Sequence, residues 1–362
     1  MKKEQYQNGL TLIELLVAMA ISLLVVIAAV YTFLASKESQ RSMERTSVSN
    51  ETGTYALQMI GRAILNAGFY PATVPPIPVD ITQIGMYDTY PPLPADTRAT
   101  TDWANPAVNW PPLAYSSAVF GCDGAKIDVA SSLCGASSAS VADTLILNYF
   151  TSDTWGSATG QRRDCTGADA AADPVNEIRK LNMGGSPPST PHTALNSALP
   201  PQLPIFVSNK YTLSDVKLYV GGQDVQTKSL ACSGNGKSPH GSADASAYQP
   251  ILAGLESLKF SYGIYAVENS ISPQRFYSAT EVGGLPNLII NGVSLTPWQR
   301  VTAIKVCLTT KTLGGNTRIA DKSDAKRKYL DCNNVEIDQP PLETVTRFVQ
   351  IFGVRNALKQ NF

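Results

Sequence analysis

From Leu10 to Ala35 the chain is apolar at nearly every position, and Glu14 is its single charge. Beyond Ser36 it turns polar but keeps a one-sided apolar spacing. Ala56, Met59, Ile60, Ala63, Ile64 and Ala67 fall at i, i+3, i+4, i+7, i+8 and i+11, the period of one helix face. No Pro occurs before Pro71, and Gly68 with Pro71 supplies a stop. The pattern predicts one helix of about 55–60 residues from Leu10 to near Ala67. Its apolar part is roughly 39 Å long at about 1.5 Å per residue, enough to cross a hydrocarbon core of about 30 Å. The amphipathic part packs its stripe on a soluble head.

After the helix the period changes. Pro71 to Pro112 holds 10 of the 24 Pro, which predicts an irregular, extended segment. Runs rich in Val, Ile, Phe and Tyr, bounded by turn residues, predict strands at Thr144–Phe150, Leu203–Val207, Val216–Val220, Leu258–Ala266, Val301–Thr310 and Val345–Phe352. Gly221-Gly222 and Gly283-Gly284 read as turns, and the Ala-, Ser- and Pro-rich stretch Ser157–Pro204 as a long loop or insertion. The expected fold class is α+β. A long N-terminal helix, with a transmembrane half and an amphipathic half, packs on an antiparallel sheet head that has a second β-rich, loop-rich subdomain. The expected segments are a tail at 1–9, a transmembrane helix at 10–35, an amphipathic continuation at 36–68, a Pro/Ala/Ser-rich β/loop region at 69–205 and a C-terminal antiparallel β region at 206–362.

Composition narrows the function. Twenty-nine Lys+Arg against 29 Asp+Glu give a net charge of +0, which disfavours a nucleic-acid or membrane-surface binder. Charged residues are 16%, against roughly 25% in an average domain. Residues 71–160 carry a balance of −6 and residues 161–362 one of +5, read as ordinary solvated surface. Two His, His192 and His240, disfavour a multi-His metal centre. No Gly-rich phosphate loop, G-x-S-x-G elbow or His-based triad occurs, so no enzymatic activity and no cofactor are expected. Asp321, Asp324 and Asp331 lack EF-hand spacing and read as loop charges. They nearly cancel Lys326-Arg327-Lys328, the one basic cluster. Trp103, Trp110, Trp155 and Trp298 read as core or loop anchors.

Six cysteines, Cys122, Cys134, Cys165, Cys232, Cys307 and Cys332, all follow the apolar span. An even number in an exported segment points to three disulfides in an oxidising compartment. Six Cys allow 15 pairings. Sequential pairing is favoured because Cys122/Cys134 and Cys307/Cys332 each close a short loop, which leaves Cys165 with Cys232.

Glu14 is the anomaly. A carboxylate in an apolar span costs on the order of 2.5–3.5 kcal/mol. It either snorkels to the headgroups or finds a positive partner, and no Lys or Arg lies within the run. Cutting the chain after Gly9 would create one, the α-amine of Leu10, able to meet Glu14 of a neighbouring helix.

Gly9-Leu10-Thr11-Leu12-Ile13-Glu14-Leu15-Leu16-Val17 closely resembles the class III signal of type IV pilins and type II secretion pseudopilins. The resemblance implies that a prepilin peptidase removes residues 1–9, cuts after Gly9 and methylates the new amine of Leu10, and that Glu14 serves in subunit recruitment. Leu10 stands where Phe or Met is more usual. Ile60-Gly61-Arg62-Ala63-Ile64-Leu65-Asn66-Ala67-Gly68-Phe69-Tyr70 resembles the helix end of the larger minor pilins of the PilW kind. Ala142-Asp143-Thr144-Leu145-Ile146 resembles the strand that opens their sheet. Trp298, Val301, Ile304–Leu308 and Val354-Arg355-Asn356 resemble their last strands. Relatives often carry an acidic turn after the Tyr-Gly strand, whereas Gly263–Ser270 offers only Glu268 and Asn269, so no metal is expected.

The family then implies a minor pilin that helps prime type IV pilus assembly, in or near the tip complex, with roles in twitching motility, adhesion and DNA uptake. Implied partners are other minor pilins, the major pilin, a large tip adhesin, the prepilin peptidase and the inner-membrane assembly platform, with no specific nucleic acid. The implied location is single-pass in the inner membrane with a periplasmic head, then the pilus tip. The rival readings are a type II secretion pseudopilin and a surface adhesin-like binding module.

Overall fold

The computed structural model describes residues 11–69, 117–127, 134–138, 141–154, 163–170, 204–220, 222–236, 248–265, 272–290, 293–312, 327–340 and 343–356. The Pro71–Pro112 segment, Trp103, Trp110, Trp155, His192, His240, Glu268, Asn269, Asp321, Asp324 and Lys326 lie outside the described residues, as does most of Ser157–Pro204.

Helix α1 (Leu12–Asn66) is a single 55-residue helix. Its N-cap is Thr11, in extended backbone. At its other end Ala67 donates to the Ile64 carbonyl, and Gly68 takes φ +74°, a left-handed turn that glycine adopts without strain. Asn356 Nδ2 then donates to the carbonyls of Ala67 (3.0 Å) and Leu65 (3.4 Å), two of the acceptors a helix end leaves open. Gly68 N donates to Asn148 O at 2.8 Å and Phe150 N to Phe69 O at 2.8 Å, so the chain leaving the helix pairs at once with the sheet.

The strands are β1 (Val119–Cys122), β2 (Thr144–Thr154), β3 (Pro204–Val220), β4 (Gln223–Gly234), β5 (Gln249–Ile264), β6 (Arg275–Tyr277), β7 (Leu288–Ile290), β8 (Val293–Leu295), β9 (Val301–Lys311), β10 (Lys328–Leu330), β11 (Glu336–Asp338) and β12 (Val345–Gly353). Eight of them form an antiparallel sheet of order β1-β2-β3-β4-β5-β9-β12, with β6 on the end of β5. The ribbons β7–β8 and β10–β11 are separate two-stranded sheets. Strand β3 runs through the 205/206 boundary, so strands of both head regions share one sheet.

Sequence and structure differ at three places. Pro204–Val207, the described part of the first of two expected strands, and Val216–Val220, the second, belong to one 17-residue strand. Its middle is polar, yet Ser208, Asn209, Lys210 and Thr212 are buried there. Asn209 Oδ1 accepts from Cys165 N (2.9 Å) and Thr212 Oγ1 donates to Asp143 O (3.0 Å), which is how buried polar groups become tolerable. Strand β4 escapes a hydrophobicity criterion because most of its residues are polar. Gly283-Gly284 closes a short helix, α2 (Ala279–Gly283), rather than a strand turn. Asp123 accepts from the first amides of α2, Ala279 N (2.9 Å) and Thr280 N (2.6 Å). Burial opposes ionisation of this carboxyl, but the Thr280, Ala279 and Ser278 hydrogen bonds outweigh it and hold its pKa below the ordinary value.

The C-terminal half of α1 packs on the end of the sheet made by β5, β9 and β12. Leu258, Phe260, Tyr262 and Ile264 alternate with paired Leu308, Val306 and Ile304 on that face. Ala56, Ile60 and Ile64 of the helix are fully buried against it. The ring of Phe348 lies where a Cβ on Gly53 would be, and the ring of Phe352 where one on Gly61 would be. Eight residues of helix advance about 12 Å and four residues of strand about 13 Å, so the two Gly–Phe contacts match in spacing. Trp298 is buried beside Phe120 (centroids 4.8 Å) and Tyr262 (5.0 Å), a core anchor as expected from its type.

Asp143 organises the polar side of this core. Its carboxylate, 3% exposed, accepts from Lys259 Nζ (2.8 Å), Gly124 N (2.8 Å) and Phe260 N (3.0 Å). These contacts join the loop after β1, the start of β2 and β5. Burial pushes its pKa up, against the hydrogen bonds and the Lys259 charge that pull it down.

The six cysteines pair as Cys122–Cys134, Cys165–Cys232 and Cys307–Cys332, with Cα separations of 5.5, 6.3 and 5.6 Å. The third bond leaves β9 on the face opposite α1 and ties down the β10–β11 ribbon, which also receives a 2.8 Å hydrogen bond from Arg347 to Asn334 Oδ1.

Gly61→Ala should lower the thermal stability of the detergent-solubilised full chain. Overpacking costs about 1–3 kcal/mol, more than the ~1 kcal/mol gained in helix propensity. Gly283→Ala, with open space around it, should not lower it. Asp143→Ala should cost about 3–5 kcal/mol, because Lys259 and two buried amides lose their acceptor. Cys307→Ser with Cys332→Ser should expose the β10–β11 ribbon to limited proteolysis while leaving α1 protected from Ser49 onward. An unchanged cleavage pattern would show that packing alone holds the ribbon.

Candidate functional site

The helix divides sharply. From Ser49 onward its inward positions are buried, and Ser49 Oγ hydrogen-bonds Thr310 Oγ1 of β9 at 2.9 Å. Between Leu12 and Leu34 sixteen large apolar side chains are each more than half exposed, Leu12 at 78% and Phe33 at 65%. Burying one such side chain is worth about 1.5–3 kcal/mol, so this stretch represents tens of kcal/mol that the folded head leaves unused. Surroundings that exclude water, such as a lipid core, would recover that free energy. The helix is long and apolar enough to cross a membrane, and its most apolar window is wholly unburied.

Glu14 sits in the first turn of this exposed rod. Its Oε2 accepts from Thr11 N (3.1 Å) and Thr11 Oγ1 (3.1 Å), and Thr11 Oγ1 in turn accepts from Glu14 N (3.4 Å). This reciprocal pair is a capping box, in which the carboxylate also meets the positive end of the helix dipole. Thr11 was not singled out by sequence reasoning, although the T-x-x-E spacing is the readable signal. Gly9 and Leu10 lie outside the described residues.

The structure therefore places Glu14 at one end of the molecule and the six cysteines in the head, with no shared site. What connects them is the docked half of α1. Gly53, Leu57 and Gly61 are part of that docking and were missed, because glycines on a helix face read as weaknesses unless a partner ring is known. Among the described residues no group of His, Cys, Asp and Glu is arranged to hold a metal ion. Arg327 and Lys328 belong to the β10–β11 ribbon, where Lys328 pairs with Glu336 at 3.2 Å. Asp331 accepts from Asn333 N and Val335 N, the role of a turn residue.

Comparison with known proteins agrees with this division of the chain. Residues 5–30 match the prokaryotic N-terminal methylation motif, a span that contains Gly9, Leu10 and Glu14. Residues 217–356 match the family described as type IV pilus-assembly protein W. No curated protein matches the chain. Among solved structures, a type IV-like pilin from Thermus thermophilus is similar at 10% identity, with 61% of this chain and 81% of that one covered and a TM-score of 0.27. The methylation-motif match at the start of the long helix and the match of the head strands to type IV pilus-assembly protein W thus make the chain similar to pilin-like proteins at both ends of the described structure.

Proposed function

We propose that this chain is a minor pilin that helps prime type IV pilus assembly in or near the tip complex, and so supports twitching motility, adhesion and DNA uptake. The observation that carries the reading is the exposed apolar half of α1 with one carboxylate at its start. Before assembly the chain spans the inner membrane once with its head in the periplasm. Residues 1–9 are the leader removed by the prepilin peptidase, 10–35 the membrane span and 36–68 its amphipathic extension. The head divides into 69–205 and 206–362. The mature Leu10 amine is methylated. The chain's role is structural rather than catalytic.

The mechanism follows from the energetics of the helix. In the single subunit Glu14 is satisfied locally by Thr11, which lowers the cost of holding a carboxylate in the bilayer. In the assembly the free amine of a neighbouring helix offers a full counter-charge in a medium of low dielectric, a stronger partner than the cap. The exchange of one partner for the other selects a defined axial offset between helices. Leu12–Leu34 then packs among the helices of other minor pilins and the major pilin, beneath a large tip adhesin and above the inner-membrane platform. The match of 217–356 to a pilus-assembly family supports a pilus over a type II secretion pseudopilus.

Gly9→Glu should leave residues 1–9 attached in the intact mass of the membrane-extracted protein. Glu14→Ala should still insert and be cut, yet disappear from sheared pili and from complexes with other minor pilins. Normal incorporation of Glu14→Ala would remove the basis for the charge-pairing mechanism.

A further inference from the structure

A groove of about 270 Å³ lies at the border of the core, between α1 and residues of β2 and β3, with the core-packed Met59 and Ala63 in its lining. Its lining includes Gln58 and Arg62 of the helix, Tyr149 and Asn209 of the sheet, and Arg163 and Asp164 of the loop between β2 and β3. We propose that this groove receives a carboxylate side chain from an adjacent pilin-like subunit, with Arg62 and Arg163 as the pair that holds it. The inference rests on the assembly reading above and adds the chemistry of one contact in it.

Three features point to that occupant. The first is charge. Arg62 and Arg163 are both exposed, and neither has an acidic partner among the described residues. The one carboxylate in the lining, Asp164, cannot neutralise them. Its Oδ1 accepts from Thr166 N (2.9 Å), Thr166 Oγ1 (2.6 Å) and Ala168 N (3.0 Å), and its Oδ2 from Gly236 N (2.8 Å). Arg163 is held in place by a 3.0 Å hydrogen bond to Gly167 O, which leaves part of its guanidinium fork free for a planar acceptor.

The second is the rest of the lining. Asn209 donates to Tyr149 Oη at 3.4 Å, so that hydroxyl keeps its own proton to donate. Burial raises the Tyr149 pKa and keeps it in the donor form. Size is the third. Small-molecule sites run from about 300 to 1,000 Å³, so this groove suits one or two side chains better than a sugar chain. Its position decides the source: it flanks the docked half of the same helix whose other half needs sister helices. A helix of this kind carries the matching chemistry, because α1 itself shows exposed Glu44 and Glu51.

The test uses the full chain in cells that assemble pili. A photoreactive benzophenone side chain replaces Gln58 in one strain and Leu24, in the apolar half, in another. Irradiation at position 58 should give an adduct with another pilin-like subunit whose cross-linked peptide contains Asp or Glu. Arg62→Glu with Arg163→Glu should lower its yield roughly tenfold, the scale of 1.4 kcal/mol. Arg62→Gln alone should lower it less, and adducts from position 24 should stay unchanged. All are compared at equal amounts of disulfide-bonded protein. Adducts at position 24 without any at 58, an adduct peptide lacking an acid, or a yield indifferent to the arginines overturns the groove and leaves the assembly reading standing. Loss of adducts at both positions overturns both.

Discussion

The rest of the molecule depends on how one rigid helix is fastened to the sheet. Two rings of the edge strand, Phe348 and Phe352, settle on two glycines of α1, Gly53 and Gly61, at matching intervals. Glycine permits this approach because it has no Cβ, and the rings replace what it lacks in apolar surface. Ile60 and Ile64 fill the space beside them, and Asn356 closes the helix end. The helix cannot slide or rotate on the head without lifting a ring from its notch. Whatever the apolar half of α1 is attached to, the head must follow.

That fastening gives the division of labour its physical basis. From Leu12 to Leu34 the helix keeps its large apolar side chains exposed, and that surface stays available to lipid or to other helices. Above Ser49 it is part of the core. The head is then stiffened away from the helix. Asp143 joins three segments through one buried carboxylate, and Cys307–Cys332 holds a ribbon on the opposite face of the sheet. Cys165–Cys232 ties the loop of Asp164 to β4, beside the groove that Arg62 and Arg163 border. A load applied along the helix therefore reaches a head cross-linked on both faces.

Much of this was legible in the chain. The apolar run and the stripe through Ala56, Ile60 and Ile64 mark a long two-part helix, since a 3.6-residue period survives any tertiary context. Thr144–Phe150, Val301–Thr310 and Val345–Phe352 stand out as strands because they are β-branched and apolar and lie in or beside the core. The middle of β3 and most of β4 do not, because their buried polar residues are tolerated only by partners far away in sequence, as Asn209 is by Cys165 and Thr212 by Asp143. Hydropathy cannot record an acceptor that arrives from another strand.

The sequence by itself determined the long helix, the lone acid at its start, the strand-rich head and an even set of cysteines beyond the apolar span, because each is a property of neighbouring residues or of composition. Only the tertiary structure decided which glycines receive aromatic rings, that Asp143 sits under three segments, and that Arg62 and Arg163, about a hundred residues apart in sequence, border one groove. Those facts depend on which surfaces the sheet order brings together, and strand order is set by long-range pairing that no local pattern encodes.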